Sequence, residues 1–472
     1  MTRTKDLMWK KKLFPELVRL AWPIAVSMLS YSVMTVVDTL FVGRLGAAAL
    51  AGVAWGGVVA FTLLCFGIGM VRAIKVQVSQ AVGAGQPRQA AEVLSAGIAI
   101  SVVIGLLALT AARAGADLVR DWSASAAAGE LAKNYLLVRS LGSPIVLAGF
   151  ALREARYGVG DSRSPMNAAI VANLANIPLN ACLIFGLGWG VQGAALATVA
   201  AQTAELLLLV GSIRKSPLRP GPLRWERCRD VLRTGWPLGL EFFLDVSAFS
   251  ALAGIIARMG EVQLASHQIA VQLSHFAFLP AMAVGEAASV LGGQAVGANE
   301  DRLVLQVATR ALLLNLVYVG ACNLLMLLGA GAAAALFSPD LDVQQTTAVL
   351  IRVSTAIVLA FAFYAVPRAT LRAVGSERFA ATITVGCAWL YPVPIAYWLG
   401  LELGWGALGA WVGLLTEISI GSSVTWWKLG SLTWLPGAER ARERLAREWL
   451  AVDDEPAPAS SAEVALGVVS AP

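Results

Sequence analysis

This sequence predicts an all-α membrane protein, with twelve transmembrane helices in two pseudo-symmetric six-helix lobes and both termini cytoplasmic. Three observations carry that prediction. The 472 residues are 57% hydrophobic and only 14% charged, where soluble domains carry about 25% charged residues. Twelve apolar stretches, each long enough to cross a ~30 Å hydrocarbon core at ~1.5 Å per residue, run through most of the chain. The second half also repeats the first. Trp22-Pro23 returns as Trp236-Pro237, Arg44-Leu45-Gly46 as Arg258-Met259-Gly260, and Gln80-Ala-Val-Gly-Ala84 as Gln294-Ala-Val-Gly-Ala298, each 214 residues later.

In chain order the spans fall at 20–43, 51–74, 92–112, 132–152, 167–186, 192–213, 235–257, 265–290, 306–332, 345–366, 379–400 and 404–427. The basic start, MTRTKDLMWKKK, leads into an apolar run longer than a signal core of about 7 to 15 residues, without a small-residue cleavage site, so it reads as an uncleaved first span. Loop charge alternates. Six basic residues precede Trp22, and Arg72, Lys75 and Arg88 surround the turn after span two. Arg153, Arg156 and Arg163 follow span four, and seven basic residues lie between Arg214 and Arg233. Arg302 and Arg310 follow span eight, Arg368, Arg372 and Arg378 follow span ten, and the tail has Arg440, Arg442, Arg444 and Arg447. The opposite loops carry few, and 311–351 contains no Lys or Arg. The positive-inside rule then puts both termini in the cytoplasm.

The domains read as a cytoplasmic N-terminus (1–19), an N-terminal lobe (20–213), a cytoplasmic linker (214–234) with Pro217, Pro220 and Pro222, a C-terminal lobe (235–428) and a cytoplasmic tail (429–472). Within the tail, 438–451 reads as an arginine-rich amphipathic surface helix. The Pro, Ala and Ser content beyond Asp453 predicts disorder. Six spans per half is an even number, so the halves share orientation about an axis along the membrane normal, an arrangement used by transporters that rock one lobe against the other.

Several classes are excluded. The five cysteines show no CxxC or Cys/His spacing and there are two histidines, so no metal site is expected. No GxxxxGK[ST] is present, which argues against ATP drive. A membrane-embedded enzyme would need a convergent His/Asp/Glu cluster at one depth, and His267 and His275 do not provide one.

In order and spacing the motifs resemble those of the MATE (multidrug and toxic compound extrusion) family of the MOP superfamily. The resemblance rests on the Trp-Pro entry with Asp38 and Val42-Gly43-Arg44-Leu45-Gly46, the two Gln-Ala-Val-Gly-Ala segments, and Gly142-Ser-Pro144. Asn176, Phe185-Gly186, Gly193-Ala-Ala195 with Ala197-Thr198, and Ala265-Ser-His-Gln-Ile269 continue it. It covers residues ~14 to 430 and implies the MATE fold, a central cleft, and export driven by inward H⁺ or Na⁺.

An acid inside a span marks a functional site by default. Desolvation disfavours its charge, so it can hold a proton or a cation but not both at full strength. Asp38 is the first such acid, and by resemblance it matches the family's first-helix acid. Pro23 matches a proline whose bend accompanies protonation in some members. Asp245 lies about 15 Å into span seven, with Glu241 one turn earlier on the same face. Two acids so close are expected to share a proton or a bound cation. Asn173, Asn176 and Asn180 on span five form a supporting polar network. The resemblance places an Asp where Asn180 stands, and the span-ten acid of the NorM-like branch is absent, since 359–363 is apolar.

Arg72 and Glu286 each stand eight residues before a Gln-Ala-Val-Gly-Ala segment, so they are expected to pair as an inner gate. Tyr31, Phe242, His267 and Gln268 are expected to line the cleft. Glu205 and Glu417 are polar spots in spans six and twelve. These readings converge on a secondary antiporter of the bacterial cytoplasmic membrane. It is expected to export amphipathic, cationic small molecules in exchange for H⁺ or Na⁺, as a monomer, with no cofactor and no nucleic-acid partner. A lipid-linked precursor flippase of the same superfamily is the alternative; such proteins usually have fourteen spans and more basic clefts.

Overall fold

The computed structural model describes residues 7–123, 125–213 and 218–453, the last seven by their backbone alone. Among these residues every regular element is helical. After a 3₁₀ turn at Met8–Lys12, the first half contains α1 (Leu13–Gly43), α2 (Ala47–Gly83), α3 (Pro87–Ala114), α4 (Ala116–Asp121), α5 (Ala126–Ser140), α6 (Ser143–Gly158), α7 (Arg163–Asn180) and α8 (Gly190–Ile213). The second contains α9 (Trp225–Ala257), α10 (Glu261–Gly297), α11 (Asp301–Phe337), α12 (Leu341–Ala373), α13 (Glu377–Leu390), α14 (Pro392–Ile395), α15 (Ala407–Gly430) and α16 (Leu435–Asp453).

Among the described residues, eleven helices are long and apolar enough to cross a membrane, and α5 with α6, bent by 50°, make a twelfth span together. The span expected over 132–152 runs through that bend. Hydropathy does not register it, but Pro144 at the start of α6 has no N–H to extend the preceding helix and is well suited to begin a new one. The break also lets α3 come close: a Cβ on Gly105 would collide with Pro144. Two π-type turns, Ala181–Gly186 and Ala396–Glu402, end the fifth and eleventh spans at repeat-related places. Gly46 and Gly260 (φ +102° and +111°) start α2 and α10 in a conformation that glycine adopts without steric cost.

The two halves meet through α1, α2, α9 and α10. At the end that carries both Gln-Ala-Val-Gly-Ala segments, the contact is close enough to exclude any side chain. A Cβ on Gly83 would strike the carbonyl oxygen of Gln294, and one on Gly297 would strike that of Gln80. This is the small-residue packing that lets membrane helices approach backbone to backbone. The glutamines then cross over. Gln80 Nε2 donates to Ala373 O of α12 at 2.7 Å, and Gln294 Nε2 donates to Gly158 O of α6 at 3.4 Å. Each lobe thus caps the end of a helix in the other. Around them Leu13, Leu17, Leu20 and Ile24 of α1 bury themselves against Ala287, Leu291 and Val296 of α10.

The opposite ends are apart. Ser32, Thr35, Thr39 and Leu40 of α1 face Gln272 and His275 of α10 across an open cleft.

Residues 218–224 pack on α3, where Gly221 N donates to Ala91 O and Ser95 Oγ donates to Gly221 O. The amphipathic helix expected over 438–451 is present within α16, and it is docked on the protein. α16 lies on the closed end of the protein and touches both halves. Gln89 Nε2 of α3 donates to Leu445 O, Arg444 Nη2 donates to Gln80 Oε1, and Arg442 pairs with Asp301 of α11. Its apolar side, Ala438, Ala441 and Leu445, is buried there beside Trp434. Arg442 and Arg444 of this helix bind protein groups. The disorder expected beyond Asp453 concerns positions outside the described residues.

Candidate functional site

Asp38 lies five residues before the end of α1, partly exposed toward the cleft. Asn180 Nδ2 donates to its Oδ1 at 2.6 Å and to Asn176 Oδ1 at 2.8 Å. Thr198 Oγ1 stands 3.5 Å from Asp38 Oδ2 but only 3.1 Å from Ala194 O, so its proton is directed mainly along its own helix. Among the described residues no Lys or Arg comes within ion-pair distance of this carboxylate. Asn180 Oδ1 and Asn176 Nδ2 are buried without partners. Such orphaned polar atoms are costly unless something comes to them. Asn173 is separate, donating to Ser30 Oγ at 2.5 Å. Pro23 lies inside α1, where Ser27 Oγ donates to its carbonyl at 2.9 Å.

The arrangement around Asp245 and Glu241 corrects the expectation of a shared proton or bound cation. The positive charge comes from α12. Arg368 Nη2 donates to Glu241 Oε1 at 2.9 Å and to Asp245 Oδ2 at 2.8 Å, and Arg372 also binds Glu241 Oε1. Two arginines one turn apart therefore meet two acids one turn apart. Loop charge after span ten would place both arginines outside the helix; instead α12 continues to Ala373 and buries them.

The inner-gate pair also differs from expectation. Glu286 is held by Lys75, which also lies 3.3 Å from Glu154. Arg72 instead lies over the Phe242 ring, 4.6 Å from its centroid. Lys75 is one turn beyond Arg72 on α2, so the reach from one lobe to the other runs through the neighbouring basic residue. The side chains of Lys75, Glu154 and Glu286 are nearly buried, with Lys75 at 4% exposure.

Two expected cleft residues lie elsewhere. His267 is buried and its Nδ1 accepts from Trp411 Nε1 at 3.0 Å, making it a packing and hydrogen-bonding residue inside the C-terminal half. Gln268 is exposed and lines neither cleft nor cavity. Tyr31 is tied into its own half: its hydroxyl donates to Glu205 Oε1 at 2.6 Å and accepts from Arg153 Nη2, which itself binds Glu205 at 2.6 Å. Phe242 packs edge-on against Phe61 and carries Arg72 on its face.

A second concavity lies mainly in the C-terminal half, with Phe61 of α2 as its contribution from the other half. It measures about 400 Å³ and is lined by Asp245, Arg368 and Glu417 together with Phe249, Phe361 and Trp411. The residues that sequence reasoning misses (Arg153, Lys75, Arg368 and Arg372) carry one signal that could find two of them. Arg153 and Arg368 stand 215 apart, the same spacing as Val159-Gly160 and Val374-Gly375.

Comparison with known proteins agrees with this architecture. A MatE family model matches residues 23–182 and again 237–398. The chain is 28% identical to the probable multidrug resistance protein NorM of Idiomarina loihiensis, over 86% of this chain and 92% of that protein. It is 26% identical to the probable multidrug resistance protein YoeA of Bacillus subtilis, over 83% and 88%. Among solved structures, a MOP superfamily transporter from Pyrococcus furiosus superposes with a TM-score of 0.81 at 21% identity, over 93% of this chain and 98% of that one. A multidrug resistance MATE transporter in an outward-facing conformation superposes with a TM-score of 0.81 at 21% identity, over 94% and 99%.

Proposed function

Because the chain belongs to the MATE family of the MOP superfamily, we propose that it is a secondary antiporter exporting amphipathic organic cations by alternating access, coupled at Asp38 to inward H⁺ or Na⁺. The observation that carries this reading is the environment of Asp38. Every other buried acid named above except Glu417 has a basic partner, while Asp38 has one firm neutral donor, Asn180. The orphaned Asn180 Oδ1 beside it is an oxygen acceptor awaiting a proton or a small cation. An acid without a counter-ion is where an incoming cation gains most, because its charge costs most when left unpaired in a low-dielectric surrounding.

The rest of the molecule suits such a cycle. One end is sealed by glycine-packed segments, crossed glutamines and Lys75, and the other stands open to the Asp38 cleft. With the arginine-rich loops inside, this is an outward-open state in the bacterial cytoplasmic membrane. Cleft and gate are complete within one chain, which favours a monomer as the working unit. Binding at Asp38 alters its hydrogen bond to Asn180, one of the polar links between α1 and α7, and Pro23 leaves α1 a weak point at which to bend.

The test is uptake of a fluorescent organic cation into proteoliposomes under an imposed H⁺ gradient and, separately, an imposed Na⁺ gradient. Wild type is expected to transport under one of them, and Asp38→Asn to lose the gradient-driven component entirely. Transport by Asp38→Asn equal to wild type would remove Asp38 from coupling. If no cation moves under either gradient, cation export falls and the lipid-precursor reading moves ahead.

A further inference from the structure

The C-terminal cavity contains an acid that the arrangement above leaves over. Glu241 and Asp245 are two acids, Arg368 and Arg372 are two guanidiniums, and the four form one connected cluster. Glu417 of α15 lines the same cavity and makes no hydrogen bond or ion pair with any described residue. It is only 8% exposed. A carboxylate so buried normally acquires a partner, and Glu417 has none on the protein side.

The other lobe shows what such a glutamate does when it is structural. Glu205, one helical turn further along the corresponding helix, is bound by Arg153 and Tyr31 and has no free role. Glu417 has moved one turn toward the start of its helix, away from the equivalent arginine. Arg368 is meanwhile occupied by Glu241 and Asp245. The displacement leaves a carboxyl group without a basic partner against the cavity, where an incoming cation would favour its ionised form.

The walls opposite are aromatic and apolar. Phe278 and Phe361 stack with centroids 3.7 Å apart, and Phe249 and Trp411 complete the lining. Ring faces attract cations and cover flat apolar surface. An anion would find both guanidiniums already engaged by carboxylates, and a neutral solute would leave Glu417 as it is. We propose that Glu417 is the counter-ion of an organic monocation bound in the C-terminal cavity, with the charged group at the carboxylate and the apolar body against the aromatic wall. This rests on the cation-export reading and assigns the substrate a different lobe from the coupling ion. Asp38 then holds the driving ion while Glu417 holds the cargo.

The experiment is equilibrium binding of ethidium, a flat monocation, to the purified full-length protein by fluorescence anisotropy, alongside transport of the same probe. Glu417→Gln is expected to weaken ethidium binding by about tenfold or more, the size typical of removing one partner of a desolvated charge pair. Glu417→Asp should recover part of that loss, while a neutral aromatic probe of similar size binds wild type and Glu417→Gln alike. Undiminished ethidium binding by Glu417→Gln, with wild type still exporting, would overturn the proposal and leave the export reading standing. Equal losses for the neutral probe and ethidium would show a collapsed cavity and overturn the counter-ion role. If wild type neither binds nor transports ethidium, both readings fall together.

Discussion

The two lobes are built on one repeat but distribute charge differently. Tyr31 and Asp245 occupy the same repeat position, as do Ser27 and Glu241, Arg153 and Arg368, and Tyr157 and Arg372. In the N-terminal lobe one arginine meets one glutamate and a phenol, and the charge is closed within the lobe. The exchanges in the C-terminal lobe add two acids and one further arginine, so Arg368 is shared and Glu417 is left over. The lesson is that the scaffold fixes where an arginine sits, while its neighbours decide which carboxylate goes unpaired. That is Asp38 in one lobe and Glu417 in the other.

The sharpest way to break this comparison is to remove the equivalent arginines one at a time. Arg368→Leu exposes two acids to each other with only Arg372 nearby, and should destabilise the protein by about 3 to 5 kcal/mol, the usual cost of stranding a buried charge. Arg153→Leu strands Glu205 alone and should cost less. Adding Glu205→Leu should then restore nearly all of the stability, whereas adding Asp245→Leu to Arg368→Leu should restore only part, because Glu241 remains. Thermal unfolding of the detergent-purified variants reads both. If Arg153→Leu is the worse of the two, the lobes do not differ in the way described.

The link between the lobes comes next. Lys75→Gln leaves both Glu154 and Glu286 without their cation, so the sealed end should open by about 2 to 3 kcal/mol. A Ser289→Cys reporter, buried in the closed state, would then react faster with a maleimide. Arg72→Gln should change the labelling rate little, since its contact is with Phe242. Exchanging Lys75 and Glu286 should fail to restore closure, because the carboxylate moved onto α2 would face Glu154. Adding Glu154→Gln to the exchange should restore it. A rescue by the simple exchange would mean that Glu154 carries no charge that matters to the gate.

Much of the fold is legible in the sequence because hydropathy, loop charge and the 214-residue repeat all report on the backbone and the membrane. The Asp38–Asn180 contact is legible for a related reason: acids and amides inside apolar helices stand out. The arginines are not. Arg153, Arg368 and Arg372 lie close to the ends of apolar stretches, where a basic residue that snorkels outward and one that turns inward look the same in a loop-charge count. What separates them is the partner on another helix, and Glu205, Glu241 and Asp245 are distant in sequence. The bend at Leu141 and the docking of α16 are hidden for the same reason, since both depend on what packs against them rather than on local composition.

A smaller effect concerns α16. Its contacts reach both lobes through partly exposed groups, Arg442 with Asp301 and Arg444 with Gln80. Such pairs are worth little individually. Ending the chain after Trp434 should therefore shift the closed state by only about 1 kcal/mol beyond the loss of the Ala438–Leu445 face. The Ser289→Cys reporter would show this as a modest rise in labelling, well below that of Lys75→Gln. A larger rise would make the tail helix the principal latch.

The smallest expected effect tests whether the N-terminal cluster is structural. Tyr31 stands where the other lobe has Asp245, so an active cleft role for this position would carry over to it. The geometry argues otherwise: the hydroxyl is spent on Glu205 and Arg153, and Arg153 also sits over the Tyr31 and Phe150 rings. Tyr31→Phe keeps the ring beneath the guanidinium and removes the hydroxyl's two hydrogen bonds while Arg153 and Glu205 stay paired, a net loss of about 1 kcal/mol. Unfolding should fall by that amount and ethidium transport should stay within about twofold of wild type. Asp245→Asn, at the same repeat position, releases part of Arg368 into the cavity that Glu417 lines and should weaken ethidium binding. Equal behaviour of the two variants would mean that the pseudo-symmetry extends to function, and that the charge difference between the lobes is incidental.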